Sequence, residues 1–468
     1  MLIDTEKTLQ APVRLSFREK AGFGCGDFAF NLFFMLITLY GLYFYTDVIG
    51  ISAASVGTLF LVARIWDAIN DPLMGILADR TKSKHGRFRP YLLWMALPFG
   101  LSGLLCFIVP DWGNGAKIAY VAFTYVVFGM IYTAANLPYS GLMAVISPSP
   151  LERTKVSEFR FIGSSAGGLL VATCVPILVN YFGKDNEQQA YITTAAIFSA
   201  IAVLLLLITF KTTKERIEPS NTNNSNILTD LKDLRSNLPG ISLFFTSIFV
   251  LGSVSIHLAN TPFYFKYYIK ESHALFGWEL SSGSMIGMFF TVNMVCLLLG
   301  VFLTTSAVKR LGKINAFVLL LALSCIFWIM QYYLLPSEVN QLFIYEGIGA
   351  FLAGPTIAII FSMYADAADH SEWRTGRRAT GLVMAFSSFG MKFGWALGGA
   401  LGGWALAWFG YTPNIEQTPE AINGIRLMLC WVPAIMGFIA CTILFSNPLK
   451  ESVMNKVVAE LQLRRATE

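Results

Sequence analysis

Apolar runs of about twenty residues follow one another along the whole chain, separated by shorter polar stretches. An α-helix needs about 20 apolar residues to cross the hydrocarbon core of a bilayer, so each run predicts a membrane-spanning helix. The chain contains twelve such runs, at residues 27–48, 54–78, 91–110, 117–140, 161–182, 190–210, 241–265, 279–304, 314–335, 341–364, 380–409 and 425–446. The pattern predicts an all-α integral membrane protein with twelve transmembrane helices.

Composition supports this class. Apolar residues make up 55% of the 468 positions, charged residues only 13%, and the mean hydropathy is +0.58. Soluble domains carry about 25% charged residues, so a soluble fold is excluded. The first 20 residues are polar and mixed in charge, which predicts that no signal peptide is cleaved. The seven cysteines form no C-x-x-C pair and are expected to be reduced, buried small hydrophobes.

The distribution of positive charge predicts the orientation of the spans. With the N-terminus in the cytoplasm, the tails and cytoplasmic loops hold 27 of the 34 Lys and Arg residues. The opposite loops and their edges hold only Lys117, Lys184, Lys266 and Lys270. Cytoplasmic loops are enriched in Lys and Arg, so both termini are predicted to be cytoplasmic, in the inner (plasma) membrane of a bacterial-type cell. Because these charges lie in short loops, the net charge of +5 does not indicate binding to nucleic acid.

One long polar segment divides the chain into two halves. It predicts an N-terminal six-helix half at 1–210, a cytoplasmic linker at 211–240, a C-terminal six-helix half at 241–446 and a cytoplasmic tail at 447–468. A basic, glycine-bearing loop follows span two (Gly75–Arg80), and another follows span eight (Val308–Lys313). This weak repeat resembles the pseudosymmetric plan of the major facilitator transporters. Basic loops that simply obey the positive-inside rule are the alternative.

The second span carries charges where lipid-facing helices have none. Arg64, Asp67 and Asp71 are spaced i, i+3, i+7 and share one helical face, with Asn70 beside it. A carboxylate in hydrocarbon costs several kcal/mol, so this face must point into the helix bundle. Arg64 could neutralise one aspartate as a buried ion pair, which would leave the other unpaired. Two carboxylates one turn apart, with an amide oxygen between them, instead suit a small hard cation or a proton.

Further motifs occur in order along the chain. They are "RIWDAINDP" at 64–72, "KHGRFRP" at 84–90, "YTD" at 45–47, "TAANLPY" at 133–139, "RF" at 160–161, "DAADHSEW" at 366–373, "GMK" at 390–392 and "GYTPN" at 410–414. Together they resemble the glycoside–pentoside–hexuronide:cation symporters, whose best-studied member is the melibiose permease. The resemblance implies the major facilitator fold and coupling of a sugar-type solute to Na⁺ or H⁺.

The resemblance also implies a cation site. It assigns Asp67 and Asp71 as ligands of the coupling ion, with Asn70 and Thr133 as neighbouring oxygen donors, and no other metal site. It implies that Lys392 approaches this site from the other half. The position of Lys392 supports this implication. It lies well inside a glycine-rich apolar span, where a buried ammonium needs a carboxylate partner. Snorkelling of Lys392 to the membrane interface is the alternative.

The solute site departs from that of the melibiose permease. The positions that match its sugar-binding aspartates on spans one and four are Asn31 and Asn136 here. An amide still donates and accepts hydrogen bonds, so a neutral pentoside fits, and the loss of two charges also eases entry of an anionic sugar derivative. The predicted solute-binding residues are Asn31, Asn136, Arg160, Lys392, Tyr132 and Trp395. For any one aromatic residue, core or lipid packing is the competing interpretation.

Basic residues after span two predict a cytoplasmic gate. By the resemblance, Arg87 and Arg89 pair with acidic groups at the end of span ten, for which Asp366, Asp369 and Glu372 are the candidates. Binding of anionic lipid by the same loop is the alternative.

These observations predict a secondary active transporter that works as a monomer in contact with membrane lipids, with no cofactor other than the coupling ion. Export of a sugar-derived carboxylated or sulfonated anion is one alternative. Transport of lysolipids is another, and it would need a lipid-accessible opening. An enzyme is not expected, because the chain has no nucleophile–base pair, no H-E-x-x-H motif and no soluble domain longer than the linker.

Overall fold

The computed structural model describes residues 14–183, 186–216, 237–375, 380–450 and most positions from 453 to 463. Helices occupy all twelve predicted spans. The helices of spans one to six are α1 (Phe17–Leu36), α2 (Ala53–Arg80), α3 (Arg89–Trp94), α4 (Ala96–Leu105), α5 (Asn114–Val145), α6 (Pro150–Phe182) and α7 (Glu187–Thr212). The later helices are α8 (Leu238–Phe263), α9 (Ser282–Val301), α10 (Thr304–Leu311), α11 (Lys313–Tyr332), α12 (Val339–Thr375), α13 (Thr380–Trp408), α14 (Pro419–Leu429) and α15 (Trp431–Phe445).

Within the described residues, nine helical segments are long and apolar enough to cross a membrane. The other three predicted spans are helical but differ in identifiable ways. Span two (α2) carries Arg64, Asp67 and Asp71 in its middle. Span three is interrupted at Met95, between α3 and α4. Pro98 has no amide hydrogen to donate back to the preceding turn, which explains the break. The side chains of the first residues of span eleven (α13) lie outside the described part of the structure.

Three π-helical segments and one hairpin complete the described secondary structure. The π-helical segments are Ile37–Gly41, Phe44–Val48 and Tyr264–Ile269. Strands β1 (His273–Leu275) and β2 (Trp278–Leu280) pair antiparallel after span seven, with His273 opposite Leu280. Phe276 and Gly277 connect them with φ of 48° and 91°, the left-handed geometry of a tight hairpin turn.

Packing divides the chain into two compact units. The first comprises Met1–Leu36, Ile65–Val171 and Gln189–Thr222, and the second comprises Ile37–Arg64, Ala172–Gln188 and Asn223–Glu468. The division therefore falls inside spans one, two and five, just before span six, and within the predicted linker. The halves at 1–210 and 241–446 stay a prediction. Residues 217–236 of the predicted linker and most of the predicted tail beyond 450 lie outside the described residues.

Small residues explain why residues 37–64 pack in the second unit. A Cβ atom on Gly57 of α2 would lie 2.7 Å from the carbonyl oxygen of Ala400 in α13. In the same unit, a Cβ on Gly398 of α13 would overlap the carbonyl oxygen of Gly252 in α8. Only glycine permits this backbone approach, so the glycine-rich stretch of α13 is a helix-packing surface.

Each unit has its own core. In the first unit an aromatic cluster fills the space between α1, α4 and α5, where the ring centroids of Phe30 and Phe99 lie 5.4 Å apart and those of Phe33 and Phe128 5.8 Å apart. In the second unit apolar side chains of α8, α11, α12 and α15 form the core, which includes Leu243, Phe317, Met363, Tyr364 and Leu444. The described cysteines are all free thiols. Four of them are buried, and Cys25, Cys174 and Cys296 are partly buried.

Candidate functional site

The two carboxylates of span two lie against one face of α5 in the first unit. Asp67 is only 7% exposed, and a Cβ atom on Gly129 would lie 3.2 Å from its Oδ1. One turn further along both helices, the Thr133 hydroxyl donates a hydrogen bond of 2.9 Å to Oδ1 of Asp71. Gly129 and Thr133 are spaced i, i+4, so one stripe of α5 follows both aspartates. The structure therefore brings together three of the four predicted cation-site residues.

Asn70, the fourth, has an unsatisfied side chain. Its Nδ2 is buried and has no hydrogen-bond partner among the described residues. A buried polar atom without a partner costs free energy, so its presence beside two carboxylates points to a ligand. Since amide oxygen and nitrogen are assigned from their surroundings, a rotation of the amide would present Oδ1, an acceptor suited to a cation.

Pro72 leaves one backbone carbonyl oxygen near the two carboxylates without its usual hydrogen-bond donor. It lies inside α2 directly after Asp71. Because proline has no amide hydrogen, the backbone carbonyl of residue 68 lacks its usual helical donor. Two carboxylates, a hydroxyl and neutral oxygens form a donor set for a hard monovalent cation or a proton. No group of three or more His, Cys, Asp or Glu with metal-site geometry occurs in the part of the chain that the structure describes.

An ion pair between spans one and five forms a second cluster in the first unit. Arg160 Nε lies 3.4 Å from Oδ2 of Asp27, and the guanidinium stacks over the Tyr139 ring at 5.3 Å. Arg160 also donates to the Ser140 hydroxyl across 3.3 Å. A Cβ on Gly163 would overlap the carbonyl oxygen of Gly24, so α1 and α6 approach through glycines close enough for this pair to form.

Asp27 was not among the residues predicted from the sequence. The position on span one that matches a sugar-binding aspartate of the melibiose permease is Asn31, and the structure pairs Arg160 with Asp27, one turn earlier. Asn31 donates from Nδ2 to the Asp27 carbonyl across 2.9 Å and so lies next to the pair. A carboxylate inside an apolar run was the signal available in the sequence, since such groups are rare in lipid and need a partner.

Asn136 lies between the two clusters. It is partly exposed and makes no hydrogen bond among the described residues, so its amide is available to a solute. The neighbouring Tyr132 packs its ring against Phe30, Phe99 and Phe128. Its role in this structure is therefore packing in the aromatic core, and its predicted contact with a sugar ring stays a prediction.

Lys392 and Trp395 belong to the second unit. Both lie on α13 and are partly buried. The Trp395 carbonyl accepts a hydrogen bond of 2.7 Å from Ser255, and Gly394 and Gly398 bring α13 against α8. This packing fixes the position of α13 against α8 next to Lys392. The predicted approach of Lys392 to the carboxylates, and the predicted solute contacts of both residues, stay predictions.

The predicted gate residues have partners that the sequence did not indicate. The backbone amides of Arg87 and Arg89 each donate 2.8 Å hydrogen bonds to the Glu215 carboxylate. The Arg89 guanidinium donates to the Phe210 carbonyl across 2.8 Å and stacks over its ring. Asp366 pairs instead with Lys313, at 2.6 Å. These contacts lie within single units. The predicted pairing of Arg87 and Arg89 with Asp366, Asp369 and Glu372 stays a prediction.

A buried polar cluster in the second unit was also not predicted. Glu346 of α12 is fully buried and accepts hydrogen bonds from Asn293 at 2.5 Å, Gln331 at 2.8 Å and His257 at 3.1 Å. His257 also contacts the Leu429 carbonyl through Nδ1 at 2.6 Å and stacks on Trp328. His257 therefore lies in the core of this unit.

Comparison with known proteins identifies the family. A family model described as MFS/sugar transport protein matches residues 22–451. An isoprimeverose transporter of Lactiplantibacillus pentosus is 35% identical over 96% of this chain and 92% of its own length. The inner membrane symporter YicJ of Escherichia coli (strain K12) is 34% identical over 92% of this chain and 91% of its own length.

A solved structure shows the same fold. The crystal structure of a bacterial homolog of the human lysosomal transporter Spinster, in an inward-facing and unoccupied conformation, superposes with a TM-score of 0.69. It covers 92% of this chain and 97% of its own chain at 14% identity, so the likeness concerns the fold alone. The predicted major facilitator fold and the predicted family are confirmed. The chain belongs to the MFS/sugar transport protein family of multi-pass membrane transporters.

Proposed function

We propose that this protein is a symporter that couples uptake of a neutral sugar or glycoside to Na⁺ or H⁺ by alternating access. One observation carries the proposal. A single face of α5 presents Thr133 to Asp71 and Ser140 to Arg160, with Asn136 between them. Residues seven apart on a helix are separated by about 10 Å along its axis, so ion and solute would bind next to each other on one rigid element.

Charge neutralisation supplies the coupling. Asp67 and Asp71 are close together in a membrane helix, and two like charges in a low-dielectric region repel and are costly to keep ionised. A bound cation or proton offsets this cost and orders α5 through Thr133. Solute that binds to the ordered face gains affinity, and by thermodynamic reciprocity the solute raises the affinity for the ion by the same factor.

The charge balance around Arg160 favours a neutral solute over an anion. Asp27 is buried beside the guanidinium and offsets its charge, and the adjacent polar side chains, Asn31 and Asn136, are uncharged. An anionic sugar derivative would have to displace Asp27 or remain without a counter-charge. Amide groups instead match the hydroxyls of a neutral sugar as donors and acceptors. The relative named as an isoprimeverose transporter agrees with a neutral saccharide.

The orientation follows from the positive-inside distribution, which puts both termini in the cytoplasm. An epitope tag at Ala116 should then be accessible from outside the cell, while tags at Thr222 and Glu468 should require permeabilisation. Detection of the Thr222 tag on intact spheroplasts would contradict the proposed orientation.

The transport assay uses the purified protein in proteoliposomes, with Na⁺ and proton gradients imposed separately and a panel of neutral and acidic saccharides offered. We expect gradient-driven accumulation of a neutral saccharide with one of the two ions. The solute recovered from the lumen should be chemically unchanged by chromatography, since we propose transport and not catalysis. Asp71→Asn should abolish accumulation while counterflow persists, and Asp111→Asn, an exposed carboxylate, is the matched control. Accumulation by the Asp71→Asn protein equal to the control would refute the coupling.

A further inference from the structure

Two sequence motifs that the proposed ion and solute sites do not use meet at one buried carboxylate in the second unit. They are "YTD" at the end of span one and "GYTPN" after span eleven. The side chain of Asp47 is 0% exposed. Its Oδ1 accepts a 2.8 Å hydrogen bond from Lys266 Nζ and another from the Tyr267 hydroxyl, and its Oδ2 accepts one from the Tyr411 hydroxyl.

Asn414 closes the arrangement from the loop after span eleven. Its side-chain amide donates to the backbone carbonyl of Asp47, and its Oδ1 accepts a 2.8 Å hydrogen bond from Lys266. Its backbone N–H donates to the Tyr267 hydroxyl across 3.0 Å. Asn414 adopts φ of 58°, a left-handed conformation that asparagine tolerates better than most residues. These residues, Asp47, Lys266, Tyr267, Tyr411 and Asn414, are called the Asp47 cluster below.

Within the cluster one ammonium faces one carboxylate, and Glu187 interacts electrostatically with the same ammonium. The ammonium of Lys266 balances the carboxylate, and both carboxylate oxygens receive hydroxyl or ammonium donors. Burial and then the Asp47 carboxylate raise the pKa of Tyr411, so its phenol stays protonated and remains a donor. A fully buried carboxylate is stable only with such a donor set, because an unsatisfied one would pay its full desolvation cost.

The location of the cluster indicates what it holds together. Asp47 lies in the π-helical segment that ends span one, and Lys266 and Tyr267 lie in the π-helical segment that ends span seven. In the predicted topology, the ends of spans one, seven and eleven all face the outside of the cell. The predicted twelve-span plan assigns Asp47 to the N-terminal half and the other four residues to the C-terminal half. An outward-open conformation requires these ends to separate.

We infer that the Asp47 cluster is the latch that closes the extracellular side of the transporter. The inference rests on the alternating-access cycle proposed above. In the closed state the five residues exclude water from Asp47 and satisfy its charge. In the outward-open state water would replace the lost donors, so the strength of the latch sets the balance between the two states.

Asp47→Asn tests the latch. The amide removes the charge that Lys266 balances and can accept through only one oxygen, so the closed state should lose about ten- to a hundredfold in population relative to the open state. The seven native cysteines are first replaced, and Thr291→Cys is introduced as a reporter. The readout is the rate at which a membrane-impermeant maleimide, added outside, alkylates this cysteine. Thr291 is partly buried, with its hydroxyl 2.9 Å from that of Thr173 in the same unit.

We expect faster alkylation in Asp47→Asn than in the parent by about tenfold or more, with a lower maximal transport rate and solute binding retained. Asp111→Asn is the matched control, because Asp111 forms an exposed outer ion pair with Lys117 at 2.9 Å. It should change neither quantity. Tyr411→Phe removes a single hydroxyl donor, so it should shift alkylation in the same direction by a smaller factor. It also keeps the test decisive should Asp47→Asn not fold.

A double-mutant cycle that combines Asp47→Asn with Lys266→Gln distinguishes loss of the latch interaction from a general loss of packing. If the two charges act together, the double variant should alkylate no faster than the single variants. Parent-like alkylation in folded Asp47→Asn and Tyr411→Phe proteins would overturn the latch. Alkylation requires neither an ion gradient nor a solute, so this result is independent of whether the proposed symport is correct.

Discussion

The Thr133 hydroxyl of α5 donates to the Asp71 carboxylate of α2 across 2.9 Å, although the two residues are 62 positions apart in the chain. This contact links the helix that carries the proposed ion ligands to the helix that carries Asn136. Binding or release of the coupling ion at the carboxylates can therefore affect the solute-binding face of α5 through this hydrogen bond. The contact gives the proposed coupling a physical route that is short and can be broken by a single substitution.

Thr133→Val should weaken coupling while preserving shape. Valine is close in volume to threonine but cannot donate to Asp71, and loss of a hydrogen bond to a charged group costs about 1.5–3 kcal/mol. The apparent affinity for the coupling ion should fall about ten- to a hundredfold, measured as the ion dependence of uptake. Thr124→Val on the same helix is the matched control, because the Thr124 hydroxyl bonds only within its own helix. Equal ion dependence in the two variants would remove Thr133 from the site.

Asn136→Ala should impair solute binding more than ion binding. Its amide has no partner among the described residues, so the substitution leaves the protein's own hydrogen bonds intact. The loss of one or two hydrogen bonds to the solute, about 1–3 kcal/mol, corresponds to roughly ten- to a hundredfold weaker solute binding. Isothermal titration with solute and with ion measures both. Asn114→Ala, at the exposed start of α5, should leave both unchanged; unaltered solute affinity in Asn136→Ala would contradict the assignment.

Asp27→Asn should change the preferred charge of the solute. Removal of the carboxylate leaves the Arg160 guanidinium without its counter-charge, which disfavours the empty site and favours an anion. We expect at least tenfold weaker uptake of a neutral saccharide and improved competition by an acidic one, measured in a competition assay. A second substitution, Arg160→Gln, should reduce this competition, since it removes the unbalanced charge. Competition by acidic saccharides at the parent level in Asp27→Asn would argue against the charge-balance explanation.

Glu346→Ala should destabilise the second unit. The substitution leaves the buried His257, Asn293 and Gln331 without their common acceptor. Breaking a buried, hydrogen-bonded charge pair costs about 3–5 kcal/mol, so the apparent Tm in detergent should fall by several degrees or more. Glu416→Ala is the control, because its carboxylate is 90% exposed and contacts Lys270 only at 3.9 Å. A Tm no lower than that of the control would show that the cluster contributes little.

The sequence by itself determined the membrane class, the span positions and the family. Runs of about twenty apolar residues can satisfy their backbone in lipid only as helices, and this requirement is local. Asp67 and Asp71 could equally be identified as a candidate site from the sequence, because two carboxylates on one face of a membrane-spanning helix need a ligand or a partner. Their proximity to Thr133 followed from the family motifs and is confirmed by the hydrogen bond to Asp71.

The tertiary structure decided which side chains meet. Sequence matching pointed to Asn31 on span one and not to Asp27, whereas the glycine contact between α1 and α6 brings Asp27 beside Arg160. The Asp47 cluster joins residues up to 367 positions apart, and the buried polar cluster around Glu346 joins four helices of one unit. Such pairings depend on which helix faces pack together, and packing is set by small residues and side-chain shape across distant segments. Hydrophobic periodicity reports that a face is buried, but it does not report against what.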